Sequence, residues 1–224
     1  MAVAGRTVLI AGATSTSGRA VARALLDAGA RVVAVGSDEE RIRALEQELP
    51  GVLGEHADLT DGDDVLELSM RVRARTGDID GVIHLVGGWR GGGGLAGQSD
   101  EDLAVLLRSF TALRHISRAF DDDLRTSDAG RLAIVSSTAV VRPLAGGANY
   151  AAVKAASEAW TRAVAQGYAK SARDTGRELS AAGVIFRVRS LGGLEEALAS
   201  AVVALWDDEA AAWNDVVVDI DTGG

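Results

Sequence analysis

Short apolar runs alternate with longer amphipathic segments along the chain. Apolar residues recur at helical spacing over 18–30, 39–49, 63–77 and 195–206. Seven runs rich in Val, Ile and Leu read as strands, at 7–12, 31–36, 51–58, 80–88, 131–137, 183–188 and 215–220. This alternation predicts an α/β fold, a single Rossmann-type, doubly wound parallel sheet of about seven strands with helices on both faces.

Composition indicates one globular unit. The chain has 224 residues and 47% hydrophobic content, enough to bury a sizeable core, and no linker or repeat divides it. We therefore predict one domain over residues 1–224. The net charge of −9 would repel a phosphate backbone or an anionic membrane surface, so neither nucleic acid nor a membrane is an expected partner.

The absence of cysteine excludes disulfides, thiol catalysis and thiolate metal sites. The three histidines, His56, His84 and His115, lack a metal-ligand spacing, so we expect no metal. The first apolar run is too short for a secretion signal, and no stretch approaches the roughly 20 apolar residues of a membrane span. We expect a cytoplasmic protein.

The first predicted strand runs directly into the first helix through a turn bracketed by Gly12 and Gly18. Glycines there allow a tight turn, and the helix N-terminus offers N–H groups and a partial positive charge to a pyrophosphate. The alternative is an ordinary βα turn that happens to contain two glycines. The predicted cofactor-binding residues of this turn are Gly12, Thr14, Ser15, Thr16, Ser17 and Gly18.

Two further positions fit the adenosine half of a dinucleotide. Asp58 and Leu59 follow the third strand and would hold and cover an adenine ring. Ser37 follows the second strand, and Arg41 lies one turn into the next helix. The alternative is that this segment is only a helix cap. Small polar or basic residues there tolerate the extra phosphate of NADP, so we favour NADP(H) over NAD(H).

Tyr150 and Lys154 lie four residues apart in a predicted helix and therefore share one face. A tyrosine hydroxyl has a pKa near 10, so it needs a nearby cation to act as an acid or base at neutral pH, and Lys154 would supply one. The fifth strand delivers Ser136 and Ser137 to the carboxyl edge of the sheet, where ligands bind in such folds.

In this combination the chain resembles the short-chain dehydrogenase/reductase family over essentially its whole length. The resemblance implies that Ser137, Tyr150 and Lys154 are catalytic. The tyrosine would exchange a proton with the substrate carbonyl or alcohol, and the serine would hydrogen-bond the same oxygen. The lysine would bind the nicotinamide ribose and lower the tyrosine pKa. The implied activity is an NAD(P)-dependent interconversion of a ketone and a secondary alcohol.

The chain departs from the family pattern at three motifs. Thr16 stands where the middle glycine of the first turn is expected. After strand four the family has Asn-Asn-Ala-Gly, whereas this chain has His84, Leu85, Val86 and Gly87, of which Val86 and Gly87 are still predicted to contact the cofactor. The asparagine of the family's proton relay is missing, and Ser109 or Phe110 falls closest to its position.

The substrate region after strand six is shortened, because the usual Pro-Gly turn and mobile lid are absent. We expect the Gly-rich segment 87–97 to replace the lid, with Trp89 as an apolar cover and Arg90 as an anion contact. The alternative is a disordered surface loop.

These departures keep two other functions open. One is a non-redox enzyme of the same fold, such as a lyase, dehydratase or cyclase, and the other is a non-catalytic dinucleotide-binding regulatory protein. An Ala-rich helix face around Trp160 predicts contact with a second subunit, as in the dimers and tetramers of the family.

Overall fold

The computed structural model describes residues 2–221, so residues 1 and 222–224 of the predicted domain lie outside the described residues. Its centre is a sheet of seven parallel strands in the order β3-β2-β1-β4-β5-β6-β7. The seven predicted strands and the α/β class are confirmed. The strands are β1 Thr7–Ala11, β2 Arg31–Gly36, β3 Val52–His56, β4 Gly81–His84, β5 Gly130–Ser137, β6 Ala181–Val188 and β7 Val216–Asp219.

Helices connect the strands, and two short 3-10 turns, Thr138–Val140 and Ala145–Gly147, lie before the longest helix. The helices are α1 Thr16–Asp27, α2 Glu39–Glu48, α3 Gly62–Thr76, α4 Asp100–Ala119, α5 Asp121–Thr126, α6 Ala148–Thr175, α7 Glu195–Ala204 and α8 Ala210–Trp213. The first four begin after a side chain that accepts a backbone N–H of the first turn, which satisfies an otherwise unpaired donor. These caps are Ser15, Asp38, Asp61 and Ser99.

Two hydrophobic cores cover the two faces of the sheet. Because side chains alternate along a strand, Val8 and Ile10 of β1 pack in the core that includes α1 and α7, while Leu9 and Ala11 pack in the core that includes α3 and α4. Burial of each such aliphatic side chain contributes roughly 1.5–3 kcal/mol to folding. The sheet is thereby a rigid support for the loops at its carboxyl edge.

A buried arginine joins the opposite edge of the sheet to the C-terminal helices. The Arg131 side chain is 2% exposed, and burial lowers its pKa from 12.5 to about 10. Its guanidinium donates only to backbone oxygens, and no carboxylate among residues 2–221 pairs with it. The acceptors are the carbonyls of Leu205 at 2.7 Å, Gly130 at 2.8 Å, Asp208 at 3.0 Å and Ser180 at 3.2 Å.

Candidate active site

The carboxyl ends of β4, β5 and β6 surround a cavity of about 900 Å³. It lies beside the point where the strand order reverses between β1 and β4, which is where ligands bind in doubly wound sheets. Ser137, Tyr150 and Lys154 all line this cavity. The structure thus brings together the three side chains predicted to be catalytic.

Alternation along β5 separates the two candidate serines. Ser137 lines the cavity, and its Oγ accepts the backbone N–H of Ala139 at 3.1 Å, so its hydroxyl hydrogen is free to donate. Ser136 is fully buried, and its Oγ donates to Glu158 Oε1 at 2.7 Å. Only Ser137 therefore faces the cavity.

Tyr150 lies one helical turn before Lys154, whose Nζ is 5.9 Å from the centroid of the tyrosine ring. Burial raises the pKa of the Tyr150 phenol above its usual value of 10.0, and the nearby Ser137 hydroxyl opposes this rise. The phenol is therefore protonated at neutral pH in the absence of a bound ligand.

Lys154 is directed at the backbone of β5. Its Nζ donates to the carbonyl oxygen of Val135 at 2.8 Å. Burial lowers the pKa of Lys154 from 10.5 to about 8, although the Glu158 carboxylate acts in the opposite direction. Burial is the largest influence on the Tyr150 phenol, and the expected lowering of the Tyr150 pKa by Lys154 stays a prediction.

An ion pair not predicted from the sequence lies next to the predicted catalytic side chains. Glu158 is four residues after Lys154 on α6, and its carboxylate accepts from Arg187 Nε at 2.8 Å and Nη2 at 2.6 Å. The hydrogen bonds from Arg187 and Ser136 hold the pKa of Glu158 below its usual value although the side chain is buried. The i, i+4 spacing to Lys154 was the available sequence signal.

His84 occupies the position of the family's first asparagine after β4 and lines the same cavity. Its Nε2 lies 3.1 Å from the carbonyl oxygen of Ser109, so Nε2 carries the hydrogen. Burial, with a smaller contribution from the charge of Lys154, lowers the pKa of His84 from 6.5 to about 3. The neutral ring leaves Nδ1 as a buried acceptor with no partner among residues 2–221.

The two residues closest to the missing relay asparagine have different surroundings. Ser109 presents its backbone oxygen to His84, while its hydroxyl donates to Leu106 O at 2.7 Å. Phe110 packs edge-on against Trp160, with ring centroids 6.2 Å apart. Neither side chain supplies an amide in place of the asparagine.

The first turn forms a cradle that requires glycine at two positions. Gly12 has φ +85°, and a Cβ there would lie 3.0 Å from the carbonyl carbon of Leu85. A Cβ on Gly18 would lie 2.6 Å from the carbonyl oxygens of Gly12 and Ala13. The backbone can therefore approach a pyrophosphate here without side chains in the way, which fits a dinucleotide.

Thr16 lies at the end of this turn, where α1 begins. It is the first residue of α1 and its side chain is exposed. Ser15 caps the helix, since its Oγ accepts from Gly18 N at 3.0 Å. The backbone N–H groups of Thr16 and Ser17 have no acceptor among the described residues, as an anion-binding helix N-terminus requires. Thr14, also predicted to contact the cofactor at this turn, is buried.

Ser37 and Arg41 lie next to the first turn at the end of β2. Arg41 Nη2 donates to the carbonyl oxygen of Thr14 at 2.9 Å, which places a guanidinium at the edge of the cradle. Asp38 is the only acid at this corner before the helix starts, and its carboxylate caps α2 by accepting from Arg41 N at 3.0 Å. This corner therefore presents a cation and a hydroxyl to a ligand.

The two residues after β3 have separate surroundings. Asp58 Oδ1 accepts from the backbone N–H and the hydroxyl of Thr60, at 2.9 and 2.7 Å, and these bonds hold the pKa of Asp58 below its usual value. Leu59 is 6% exposed and belongs to the hydrophobic core, so its side chain offers little surface to an adenine ring. Contact of either residue with the cofactor stays a prediction.

The Gly-rich segment after β4 folds over the cavity. Val86, Gly87 and Trp89 line the cavity, and a Cβ on Gly87 would lie 3.5 Å from Lys154 Nζ. Trp89 is 62% exposed. Arg90 does not line the cavity, and its Nε lies 3.8 Å from Asp102 Oδ1. Trp89 therefore has the position expected of a cover, whereas Arg90 is directed elsewhere.

Gln98 ties this segment to the start of α6. Its side-chain nitrogen donates to the carbonyls of Gly92 at 3.0 Å, Gly94 at 3.2 Å and Gly146 at 3.0 Å. Its side-chain oxygen accepts from the backbone N–H of Asn149 at 3.1 Å, next to Tyr150. These hydrogen bonds give the segment a defined path, and its role as a cover stays a prediction.

Residues 189–194 are the whole connection between β6 and α7, so the structure provides no long lid at this edge.

Among residues 2–221, no group of three or more His, Cys, Asp or Glu side chains is placed to hold a metal ion. No helix within that range is long and apolar enough to cross a bilayer.

Comparison with known proteins identifies the family. The model of the short chain dehydrogenase family matches residues 6–172. The chain is 27% identical over 230 residues to the 3-oxoacyl-(acyl-carrier-protein) reductase FabG of Salmonella typhimurium, covering 94% of this chain and 93% of that protein. A metagenomic short-chain oxidoreductase in complex with NADP superposes with a TM-score of 0.82 at 24% identity, covering 99% of this chain and 100% of that one.

Another curated relative matches a shorter stretch of this chain at higher sequence identity. The chain is 40% identical over 84 residues to the L-fucose dehydrogenase of Oryctolagus cuniculus, a stretch that covers 38% of this chain and 30% of that protein. For two curated relatives, this one included, the match spans less than a third of the relative's length. On the match over residues 6–172, the chain belongs to the short-chain dehydrogenase family and is an enzyme of the oxidoreductase class.

Proposed function

We propose that this protein is an NADP(H)-dependent oxidoreductase that interconverts a ketone and a secondary alcohol. The convergence of Ser137, Tyr150 and Lys154 on one cavity, next to a glycine cradle for a dinucleotide, carries this proposal. A nicotinamide cofactor would supply the hydride when bound, and the side chains would supply proton transfer and orientation.

The protonation states favour Tyr150 as the acid of carbonyl reduction. Its pKa, raised by burial, leaves the phenol protonated at neutral pH as in an ordinary tyrosine, so it can donate a proton to the oxygen that gains negative charge. The free hydrogen of the Ser137 hydroxyl can donate to the same oxygen. The ammonium of Lys154, at 5.9 Å from the tyrosine ring, stabilises the phenolate that remains and is available to the ribose hydroxyls.

Three observations support NADP(H) over NAD(H). Arg41 presents its guanidinium at the end of β2 beside Ser37, where the 2′-phosphate of NADP would lie. The carboxylate of Asp38, the acid closest to this corner, is engaged in capping α2. A solved relative with this fold carries NADP. Arg41 and Ser37 would hold the phosphate, and Thr16 N and Ser17 N would face the pyrophosphate.

We expect a homodimer or homotetramer. Trp160 of α6 is partly buried by Phe110 and Arg114 of α4, and these aromatic and cationic side chains form a platform along the two helices. A cleft of about 610 Å³ runs beside Trp160 on this surface. Light scattering on the purified protein gives the subunit number directly.

Separate titrations with NADPH and NADH test the cofactor assignment, with nicotinamide fluorescence and thermal shift as readouts. Micromolar binding of NADPH and weaker binding of NADH support it. A screen of ketones then follows NADPH oxidation, with Tyr150→Phe as the control that binds NADPH but does not turn over. The proposal would be refuted if none of NADPH, NADH, NADP⁺ and NAD⁺ binds.

A further inference from the structure

Two arginines line the substrate side of the cavity without a partner. Arg142 follows β5 and Arg189 follows β6, and both line the cavity that holds Tyr150. Both are exposed, and among residues 2–221 neither side chain makes a hydrogen bond, an ion pair or a ring contact. Arg187, two residues before Arg189, is instead fully engaged with Glu158.

The charge around the cavity is opposite to that of the whole protein. The chain carries a net charge of −9, with 32 acidic and 23 basic residues. The cavity lining nevertheless contains Lys154, Arg142 and Arg189, and no Asp or Glu among the described residues. A concave site with one sign of charge concentrates ligands of the opposite sign, so this cavity attracts anions.

Apolar side chains complete the same side of the cavity. Trp89 is 62% exposed and Leu144 is 72% exposed, and both line the cavity together with Leu191. Large apolar side chains exposed around a concave site mark a surface that a ligand covers. A ligand that satisfies this lining has an apolar body as well as an anionic group.

We propose that the substrate is a small carbonyl compound with an apolar body and a carboxylate or phosphate group, bound through Arg142 and Arg189. This inference rests on the proposed function, since Tyr150 and Ser137 are the groups that would bind its carbonyl oxygen. Guanidinium groups suit both anions because their planar N–H donors match two oxygens at once. The apolar body would lie against Trp89 and Leu144.

Isothermal titration of the protein saturated with NADP⁺ tests this proposal. Levulinate and 4-acetylbenzoate are each compared with the matching primary amide, and 4-acetylphenyl phosphate distinguishes a phosphate from a carboxylate preference. We expect at least one anion to bind on the order of tenfold more tightly than its neutral counterpart. This preference falls as salt rises, because the arginines are exposed.

Arg142→Gln and Arg189→Gln should each reduce the preference for the anion while leaving the affinity for the amide unchanged. Arg31→Gln is the matched control, because Arg31 is exposed at the start of β2, at the opposite edge of the sheet, and the same charge is removed. An equal loss in the control would assign the effect to the overall charge of the protein and overturn the proposal.

Three other outcomes would overturn the inference: equal affinity for anion and amide, no binding of any probe, or weaker NADPH binding with an unchanged anion preference. The last outcome would assign the arginines to the cofactor phosphates.

NADPH oxidation with the neutral amides separates the two proposals. Turnover without anion preference refutes the substrate class alone, whereas anion preference without oxidation of NADPH by any ketone refutes the proposed reaction and retains the anion site.

Discussion

The environment of Lys154 sets the chemistry available at residue scale. The carbonyl of Val135 accepts from its Nζ, the Glu158 carboxylate favours its charge, and burial opposes that charge. The neutral His84 ring lies on the β4 side, where its unpartnered Nδ1 can accept a hydrogen bond. With a pKa of about 8, Lys154 is mainly protonated at pH 7. It loses its charge as the pH rises through about 8.

Affinity for NADPH should therefore depend on pH. Lys154 is cationic below about pH 8, so its donors and its charge are available to the ribose hydroxyls there and decline above that value. We expect the Kd for NADPH to rise between pH 7 and pH 9.5, a window that lies above the titration of the 2′-phosphate near pH 6. Fluorescence titrations of the native protein and Lys154→Met check this. A variant with the same pH dependence as the native protein would show that another group is responsible.

His84 should make the protein less stable in mild acid. Its folded pKa of about 3 lies below the unfolded value of 6.5, so the unfolded chain takes up the proton first. The contribution of this group is complete above pH 6.5 and decreases as the pH falls toward 3. From pH 7 to pH 5 the loss is roughly 2 kcal/mol. Urea unfolding at both pH values should show a smaller loss in His84→Leu, and an identical loss in both proteins would contradict this account.

At the scale of elements, the sequence predicted all seven strands because most are short runs rich in Val, Ile and Leu between turn residues. It could not predict the path of the Gly-rich segment, since glycine permits many backbone conformations. The contacts that select one path come from Gln98, which reaches Gly146 far along the chain. Sequence alone also could not distinguish Arg90, which is directed at Asp102, from the cavity-lining Arg142, because no local pattern marks either one.

Substitution of Trp89 tests whether the Gly-rich segment covers a bound substrate. Its ring is exposed without substrate, so a bound apolar body would bury it, and Trp89→Ala should lose about 1–2 kcal/mol of substrate binding. We expect KM to rise roughly tenfold with little change in kcat, since the ring does not carry protons. Steady-state kinetics with NADPH in excess measure both constants. Unchanged KM and kcat would exclude the loop from substrate binding.

At the scale of the whole molecule, one arginine connects the amino end of β5 to the C-terminal helices. Arg131 is the buried donor for carbonyls of Leu205 and Asp208, and its role was not predicted because a single Arg in a strand carries no sequence signal. It thereby links the segment between α7 and α8 to the sheet. Ser137, the proposed catalytic serine, lies at the other end of β5 and does not contact Arg131.

Arg131→Met should destabilise the fold without altering the site directly. It leaves buried carbonyls unpaired, each at a cost of about 1–3 kcal/mol, while removal of a buried charge offsets part of this. We expect the free energy of unfolding to fall by about 2–4 kcal/mol in urea titrations. Arg177→Met, at an exposed arginine, is the control. A loss no greater than that of the control would contradict the role of Arg131.

Transfer of deuterium from the 4-position of labelled NADPH to a ketone tests the central claim most directly. The account predicts deuterium on the carbinol carbon of the product, and a rate of transfer that falls roughly 10²- to 10⁴-fold in Tyr150→Phe while NADPH affinity is retained. With NADPH deuterated at both hydrogens of C4, an alcohol without deuterium would contradict hydride transfer from this cofactor, and a product that is not reduced would place the protein among non-redox enzymes of this fold. Deuterium transfer at the native rate in Tyr150→Phe would contradict the role of Tyr150 as the acid.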